Sequence, residues 1–324
     1  MSFTAMAGPF DTLTFDQEPK DNVKKLTELN KHKGFTVLWW NVAWGHYNNN
    51  AILDNNLLAL MNSPTSPAVI TLGEFKEMIL MDSTKTALRE VYKYYSFVPY
   101  SAGDVVGIAI FSKYPFRESV TFDLDWTPMK ATTAEAEAYR KDWTDYDKDW
   151  VRHWRRTFAH FQVHLPDGTT TNIVPVHLAS PWMTIHRRIG NWKTFRIMMT
   201  ADENPLLHQQ MRLTDVLEKE FGDDLNSEAM ILLGDFNIPS KVRIPILGGK
   251  PKMYKLLQGP LTNVLDSSDD TFPSKSSHYD QTDFTKKHPI QIDHIFHNKK
   301  VNGMKAEVLH LKGSDHYPLL MIAK

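Results

Sequence analysis

The chain has 324 residues, enough for one large or two ordinary domains, with 42% hydrophobic residues and no apolar run near the ~18 residues that a membrane-spanning helix needs. Its net charge of −1 gives no global electrostatic case for a polyanion or membrane binder, although a locally basic groove is still allowed. Cysteine is absent, so disulfides, thiolate nucleophiles and cysteine-ligated metal sites are excluded.

Residues 1–33 read as an N-terminal extension packed on the domain, with Pro9, Pro19 and a short helix-like stretch from Asp21 to Leu29. Met1 to Lys20 shows no basic segment followed by an apolar core, so no signal peptide is evident and cytoplasmic residence is the expectation. Residues 34–324 read as a single domain. Its first strand is expected over Phe35 to Val42, with Asn41 emerging at the end of an aromatic, apolar run. An amphipathic helix follows around Ala51 to Met61, then a strand from Val69 to Leu72 ended by Gly73 and Glu74. A helix with its loop is expected from Ser83 to Tyr94, and a central strand from Val105 to Ser112.

Residues 123–154 form a Trp-rich insertion holding four of the nine tryptophans. Trp143, Trp150 and Trp154 stand seven and four apart, the spacing of a helix that packs an aromatic stripe on a core. Arg155 and Arg156 precede a strand from Thr157 to His164, and a Pro-Asp-Gly turn leads into Thr171 to Leu178, which carries His177 near its end. From Ser180 to Met199 basic residues alternate with aromatics: His186, Arg187, Arg188, Trp192, Lys193 and Arg196. This stretch reads either as a phosphate-facing patch or as a solvated helix face. Pro205 to Phe221 has the periodicity of an amphipathic helix.

Met230 to Leu233 is a short buried strand, and Gly234 is expected to break it before Asp235 and Asn237, which on an extended backbone would leave on the same side. The stretch 239–289 is loop-rich. Gln291 to Phe296 alternates so that Asp293 and His294 face opposite ways. Asp315 and His316 lie in a turn before the last strand, Leu319 to Ala323.

Asn41, Glu74, His177, Asp235, Asn237, Asp293, Asp315 and His316 thus all fall at strand ends, where layered folds carry their catalytic groups. Each alone also fits an ordinary strand exit or Asx turn. Histidines and carboxylates without cysteine suit a hard, oxygen-liganded divalent cation rather than structural zinc. No nucleophile elbow for a serine hydrolase and no Walker-type glycine loop is present.

In order, Trp40-Asn41-Val42, Gly73-Glu74-Phe75, Gly107 to Pro115, Val176-His177-Leu178, Gly234 to Asn237, Ile292 to Phe296 and Ser314-Asp315-His316 resemble the motifs of the endonuclease/exonuclease/phosphatase superfamily, from about Phe35 to the C-terminus. The resemblance implies an α+β fold, a four-layered α/β/β/α sandwich of two mixed sheets with helices outside. It implies a catalytic domain that uses Mg²⁺, with Mn²⁺ as a substitute. By resemblance Glu74, Asn41 and Asp315 form the metal shell. Asp235 orients or deprotonates the attacking water, Asn237 holds it, His316 paired with Asp293 contacts the phosphate, and His177 serves the leaving oxygen.

Against single branches of the family, Ala43 and His177 depart from abasic-site endonucleases, and the run Asn237-Ile238-Pro239 departs from inositol phosphatases. Pancreatic-type nucleases have a glutamate between the positions of Tyr100 and Gly107, where this chain has only Asp104 and leaves the partner of His177 open. The leading expectation is a phosphodiesterase acting on a phosphate ester in nucleic acid, most of all DNA, with Arg155, Arg187 and Arg188 contacting substrate phosphates and no obligate protein partner. The alternatives are a phosphatase or phospholipase-C-like esterase acting on inositol-phosphate or sphingomyelin-type substrates, and a non-catalytic binding protein on the same fold.

Overall fold

The computed structural model describes residues 10, 12–16, 19–43, 50–100, 103–124, 156–178, 213–215, 217, 219, 228–240, 261–265, 269–272 and 289–324. Three helices precede or interleave the first strands: α1 (Pro19–Asn30), α2 (Asn50–Met61) and α3 (Asp82–Val91). The strands are β1 (Phe35–Asn41), β2 (Val69–Phe75), β3 (Tyr94–Pro99), β4 (Gly107–Ser112), β5 (Phe116–Leu124) and β6 (Arg156–His164). They continue with β7 (Thr170–His177), β8 (Met230–Asp235), β9 (Thr262–Asn263), β10 (Asp293–His297), β11 (Lys305–Val308) and β12 (Leu319–Ala323). They form two six-stranded sheets, in the orders β11-β12-β1-β2-β4-β3 and β5-β6-β7-β8-β10-β9.

Both sheets are mixed. The pairs β1–β2 and β7–β8 are parallel, and every other named pair is antiparallel. Strand alternation then sorts the apolar residues into two cores. From β1, Val37 and Trp39 join Ala159, Phe161, Ile173, Ile231, Leu233 and Ile295 between the sheets. Leu38 and Trp40 point the other way, into a second cluster with Leu26 of α1, Leu53 and Leu57 of α2, and Leu88 of α3. Every residue of β1 is therefore buried, which is why this strand reads as an unbroken apolar run. Helical residues Leu213 and Leu217 are buried, within the helix expected over 205–221. The α+β sandwich expected from the sequence is the fold.

Several boundaries differ from the sequence reading. The helix and loop expected over Ser83 to Tyr94 are α3 to Val91 and a short link, but Tyr94 already opens β3, an edge strand whose half-exposed aromatics carry little alternation. The strand expected from Val105 begins at Gly107. β5 carries no strong sequence signal and was not expected; it runs through Leu124, so the segment assigned to the insertion from residue 123 opens as strand. The rest of that segment, with its four tryptophans, lies outside the described residues, as does the basic stretch 180–199.

Gly234 does not end β8. It stays in the ladder, paired with His294 on one side and Val176 on the other. Its φ of 152° is one that side chains rarely adopt, and a Cβ there would sit 1.8 Å from the Val176 carbonyl oxygen. Glycine is needed for close strand approach, not for strand termination.

Candidate active site

Strand direction gathers the polar residues at one edge. Asn41, Glu74, His177 and Asp235 lie at or next to the C-terminal ends of β1, β2, β7 and β8. β10 runs antiparallel to β8 and β12 antiparallel to β1, so the starts of those strands reach the same edge. Asp293 opens β10, while Asp315 and His316 precede β12. In register, His177 lies beside Asp235 and Asp235 beside Asp293.

Asn41 is fully buried and turns its amide N–H groups toward two carboxylates, Glu74 Oε1 at 3.3 Å and Asp235 Oδ2 at 3.1 Å. Its own oxygen accepts from Ala43 N at 3.1 Å. Ser314 Oγ donates to the Asn41 carbonyl at 2.6 Å, tying the Asp315–His316 turn to the end of β1. Three positions here hold left-handed backbones without being glycine: Ala43 (φ 50°), Glu74 (φ 49°) and Asn237 (φ 53°). Such clustering is typical of functional edges, where packing overrides local preference. It also corrects the expectation that Asp235 and Asn237 leave on one extended backbone. Asn237 instead curls back, so that its N–H donates to Asp235 Oδ1 at 2.7 Å and its side-chain amide donates to the Leu178 carbonyl at 2.8 Å.

His316 Nδ1 lies 2.8 Å from Asp293 Oδ2, and its Nε2 is 3.7 Å from Asp235 Oδ2. Asp293 is held in turn by Trp39 Nε1, which donates to Oδ1 at 2.9 Å, while the Asp293 N–H donates to Thr271 Oγ1 at 3.0 Å. Trp40 Nε1 donates to the His316 carbonyl at 3.0 Å. Adjacent indoles on opposite faces of β1 thus grip the two members of the His316–Asp293 pair. His294, opposite in facing to Asp293 as expected, bonds the Ile238 carbonyl through Nε2 at 2.6 Å, away from the site.

His177 Nε2 lies 3.6 Å from both Glu74 Oε1 and Asp235 Oδ2. Its Nδ1 meets the Tyr100 hydroxyl, so its ring partner is a phenol and not the carboxylate of Asp104. Arg156 is buried with its guanidinium 4.6 Å from the Tyr100 ring centroid. Of the two adjacent arginines singled out in the sequence, Arg156 is among the described residues and lies beside the site. Arg155, Arg187 and Arg188 lie outside the described residues.

The electrostatics follow from burial. Desolvation, then the facing charge of Asp315, raises Glu74 to about 7, although its side chain keeps 23% of its surface and so opens to solvent. Burial, then the neighbouring Asp293, pushes Asp235 well above the usual carboxylate range. Burial also holds His177 well below the usual imidazole value, helped by Arg156 and His316. At His316 burial works against the charge, but Asp293, Asp315 and Asp235 outweigh it and raise its pKa well above the ordinary value.

Two groups could hold a cation. Glu74 and Asp315 oppose each other's charge, an unfavourable arrangement that a cation would relieve, and their oxygens suit a hard ion. Asp235, Asp293 and His316 also bring ligand atoms within 4.8 Å of one another. The direct Nδ1–carboxylate bond already joins His316 to Asp293, however, and that favours an acid–base set over a ligand set.

Trp39, Tyr100 and Thr271 were not singled out as site residues from the sequence. Their roles are contacts between distant strands, for which spacing along the chain carries no signal.

The model of the Endonuclease/Exonuclease/phosphatase family matches residues 38–316. No curated protein matches the sequence. Truncated TDP2 from Caenorhabditis elegans is 12% identical with a TM-score of 0.55, covering 89% of this chain and 97% of that chain. Sphingomyelinase C from Streptomyces griseocarneus is 15% identical with a TM-score of 0.54, covering 90% and 100%. The human Nocturnin catalytic domain with bound sulfate anion is 16% identical with a TM-score of 0.53, covering 90% and 94%. At these identities the likeness is one of fold.

Proposed function

We propose that this chain, which belongs to the endonuclease/exonuclease/phosphatase family of phosphate-ester hydrolases, is a Mg²⁺-dependent phosphodiesterase that cleaves nucleic acid, above all DNA. The observation that carries the chemistry is the convergence on Asp235. Its Oδ2 stands within 3.7 Å of Asn41, His177 and His316 donors, so one buried carboxylate is surrounded by three groups that can share a phosphate and a water with it.

Asp235 receives the proton of the attacking water, and its raised pKa makes it a stronger base than an exposed carboxylate. Asn237 holds Asp235 through its backbone N–H and keeps a second side-chain N–H for the water or a phosphate oxygen. His316, charged and anchored on Asp293, neutralises a non-bridging oxygen. His177 stands across Asp235 from His316 and donates to the leaving oxygen. Arg156 adds a buried positive charge on the same side. Glu74 and Asp315 would hold the cation, with Asn41 orienting Glu74 through its amide N–H. When bound, the ion supplies Lewis-acid neutralisation of charge on the phosphate.

DNA is favoured by the basic, aromatic stretch from His186 to Arg196 in the sequence. One observation favours the phosphatase or phospholipase-C-like reading: Met78 and Val105, 70% and 64% exposed, follow Glu74 and Tyr100 at the same end of the first sheet. A panel of DNA, RNA, phosphoinositide, sphingomyelin and a simple phosphomonoester, with and without Mg²⁺ and with Asp235→Ala as blank, separates the readings. Mg²⁺-dependent cleavage of DNA alone is the expected result. Turnover of a lipid or monoester with intact DNA would overturn the nuclease assignment.

A further inference from the structure

Tyr100 stands at the end of β3, where its carbonyl accepts from Thr157 N at 3.0 Å and Thr157 Oγ1 at 3.1 Å, so its position is fixed from the second sheet. Its hydroxyl reaches back to the first sheet. The β2–β4 ladder shifts register between Leu72 and Phe75, and Glu74, inside that shift, adopts φ 49°. The Glu74 N–H is thereby turned out of the ladder and donates to Tyr100 Oη at 2.7 Å. The other hydroxyl partner among the described residues is His177 Nδ1.

We propose that Tyr100 is a positioning residue that takes the place of a carboxylate behind His177 and fixes that histidine as the neutral tautomer with its proton on Nε2. Two observations set the direction of the proton. The hydroxyl oxygen accepts from Glu74 N–H, and among the described residues the Nδ1 lone pair is the acceptor placed to take its proton. On the other side of the ring, Nε2 lies 3.6 Å from Glu74 Oε1 and 3.6 Å from Asp235 Oδ2. A lone pair there would face two carboxylates, whereas an N–H is attracted by both.

The chain of donors therefore runs from Glu74 N–H through the Tyr100 hydroxyl to His177, and ends in an N–H aimed at the substrate side. The edge-on ring contact, with centroids 5.1 Å apart at 78°, keeps the imidazole from turning over. A phenol partner differs from a carboxylate in one respect: it carries no charge to stabilise an imidazolium. His177 on this arrangement is a fixed hydrogen-bond donor.

The assignment rests on His177 belonging to the site, yet its main test needs no turnover. Long-range nitrogen-15–proton correlation spectra of histidine-labelled protein, with the His177 signal assigned by His177→Gln, report the tautomer directly. The wild-type protein is expected to show the proton on Nε2. Tyr100→Phe, which keeps the ring beside Arg156, is expected to move the His177 Nδ1 nitrogen-15 resonance toward that of an unbonded ring nitrogen, and Asp104→Asn to leave it in place. Cleavage of a fluorophore-labelled oligodeoxynucleotide by Tyr100→Phe should fall roughly 10- to 100-fold in kcat with KM little changed. A wild-type proton on Nδ1, an unmoved Nδ1 resonance in Tyr100→Phe, or a moved one in Asp104→Asn would overturn the proposal. An oligodeoxynucleotide left intact by wild type would instead count against the substrate reading, with the tautomer result standing by itself.

Discussion

Trp39 Nε1 donates to Asp293 Oδ1 at 2.9 Å, so a residue of β1 in the first sheet holds a carboxylate of β10 in the second. Gly73 makes room for this indole, since a Cβ there would come within 2.5 Å of the Trp39 ring. Trp39→Phe keeps most of the packing and removes the donor. A buried carboxylate oxygen left without its partner costs about 1–3 kcal/mol, and the loosened Asp293 should lower turnover roughly tenfold or more. Urea unfolding and steady-state kinetics measure the two losses; an unaltered kcat would separate Trp39 from the His316–Asp293 pair.

Asp235→Asn should divide activity from stability. The substitution removes the base and should cost roughly 10²–10⁴ in rate. It also removes a carboxylate that burial and Asp293 make unfavourable, so thermal stability should hold or rise. A variant both inactive and clearly less stable would mean that Asp235 is chiefly structural.

The Glu74–Asp315 pair links cation binding to pH. Glu74 is raised to about 7 from 4.5, so between those values the folded protein holds a proton that the unfolded chain has released. Stability without metal therefore declines as pH rises through this window. Mg²⁺ requires the deprotonated carboxylate, so its stabilising effect should grow from pH 6 to pH 8. Thermal melts with Mg²⁺ or with chelator at each pH give the comparison, and a Mg²⁺ shift larger at pH 6 would contradict the assignment.

His294 makes a second pH-dependent contribution, away from the site. Burial lowers it from 6.5 to about 4, so on acidification the unfolded chain takes up a proton first. Its contribution is fully present above pH 6.5 and is lost as pH falls toward 4, by roughly 3 kcal/mol in total. In His294→Gln the slope of stability against pH over this window should be shallower, as read from urea unfolding at several pH values. An equal slope would show that His294 is not the group being titrated.

Gly234→Ala should cost more than about 4 kcal/mol or prevent folding, because the new Cβ would lie 1.8 Å from the Val176 carbonyl at a φ of 152°. Soluble yield and urea midpoint test it. Near-wild-type stability would show that β7 and β8 can separate without loss.

What the sequence determined by itself was the set of strand-end residues, and the layered fold followed from the family resemblance that those residues carry. β1, β2, β8 and β12 are mostly apolar runs buried on both faces, and such runs are legible because hydrophobic pattern alone specifies them. Edge strand β3 was not legible, since half-exposed residues leave no clear period, and β5 carries no strong sequence signal. The eight polar residues could be named because each follows or precedes a buried strand. Which of them touch was decided only by sheet register and by the antiparallel return of β10 and β12. Local pattern also gave a wrong reason for the closeness of Asp235 and Asn237, which arises from a left-handed turn rather than an extended exit. Tyr100 behind His177, Arg156 beside Tyr100, and Trp39 under Asp293 come from segments 56 to 254 residues apart and from opposite sheets. No spacing rule along a chain encodes such contacts, because they exist only once two sheets have packed face to face.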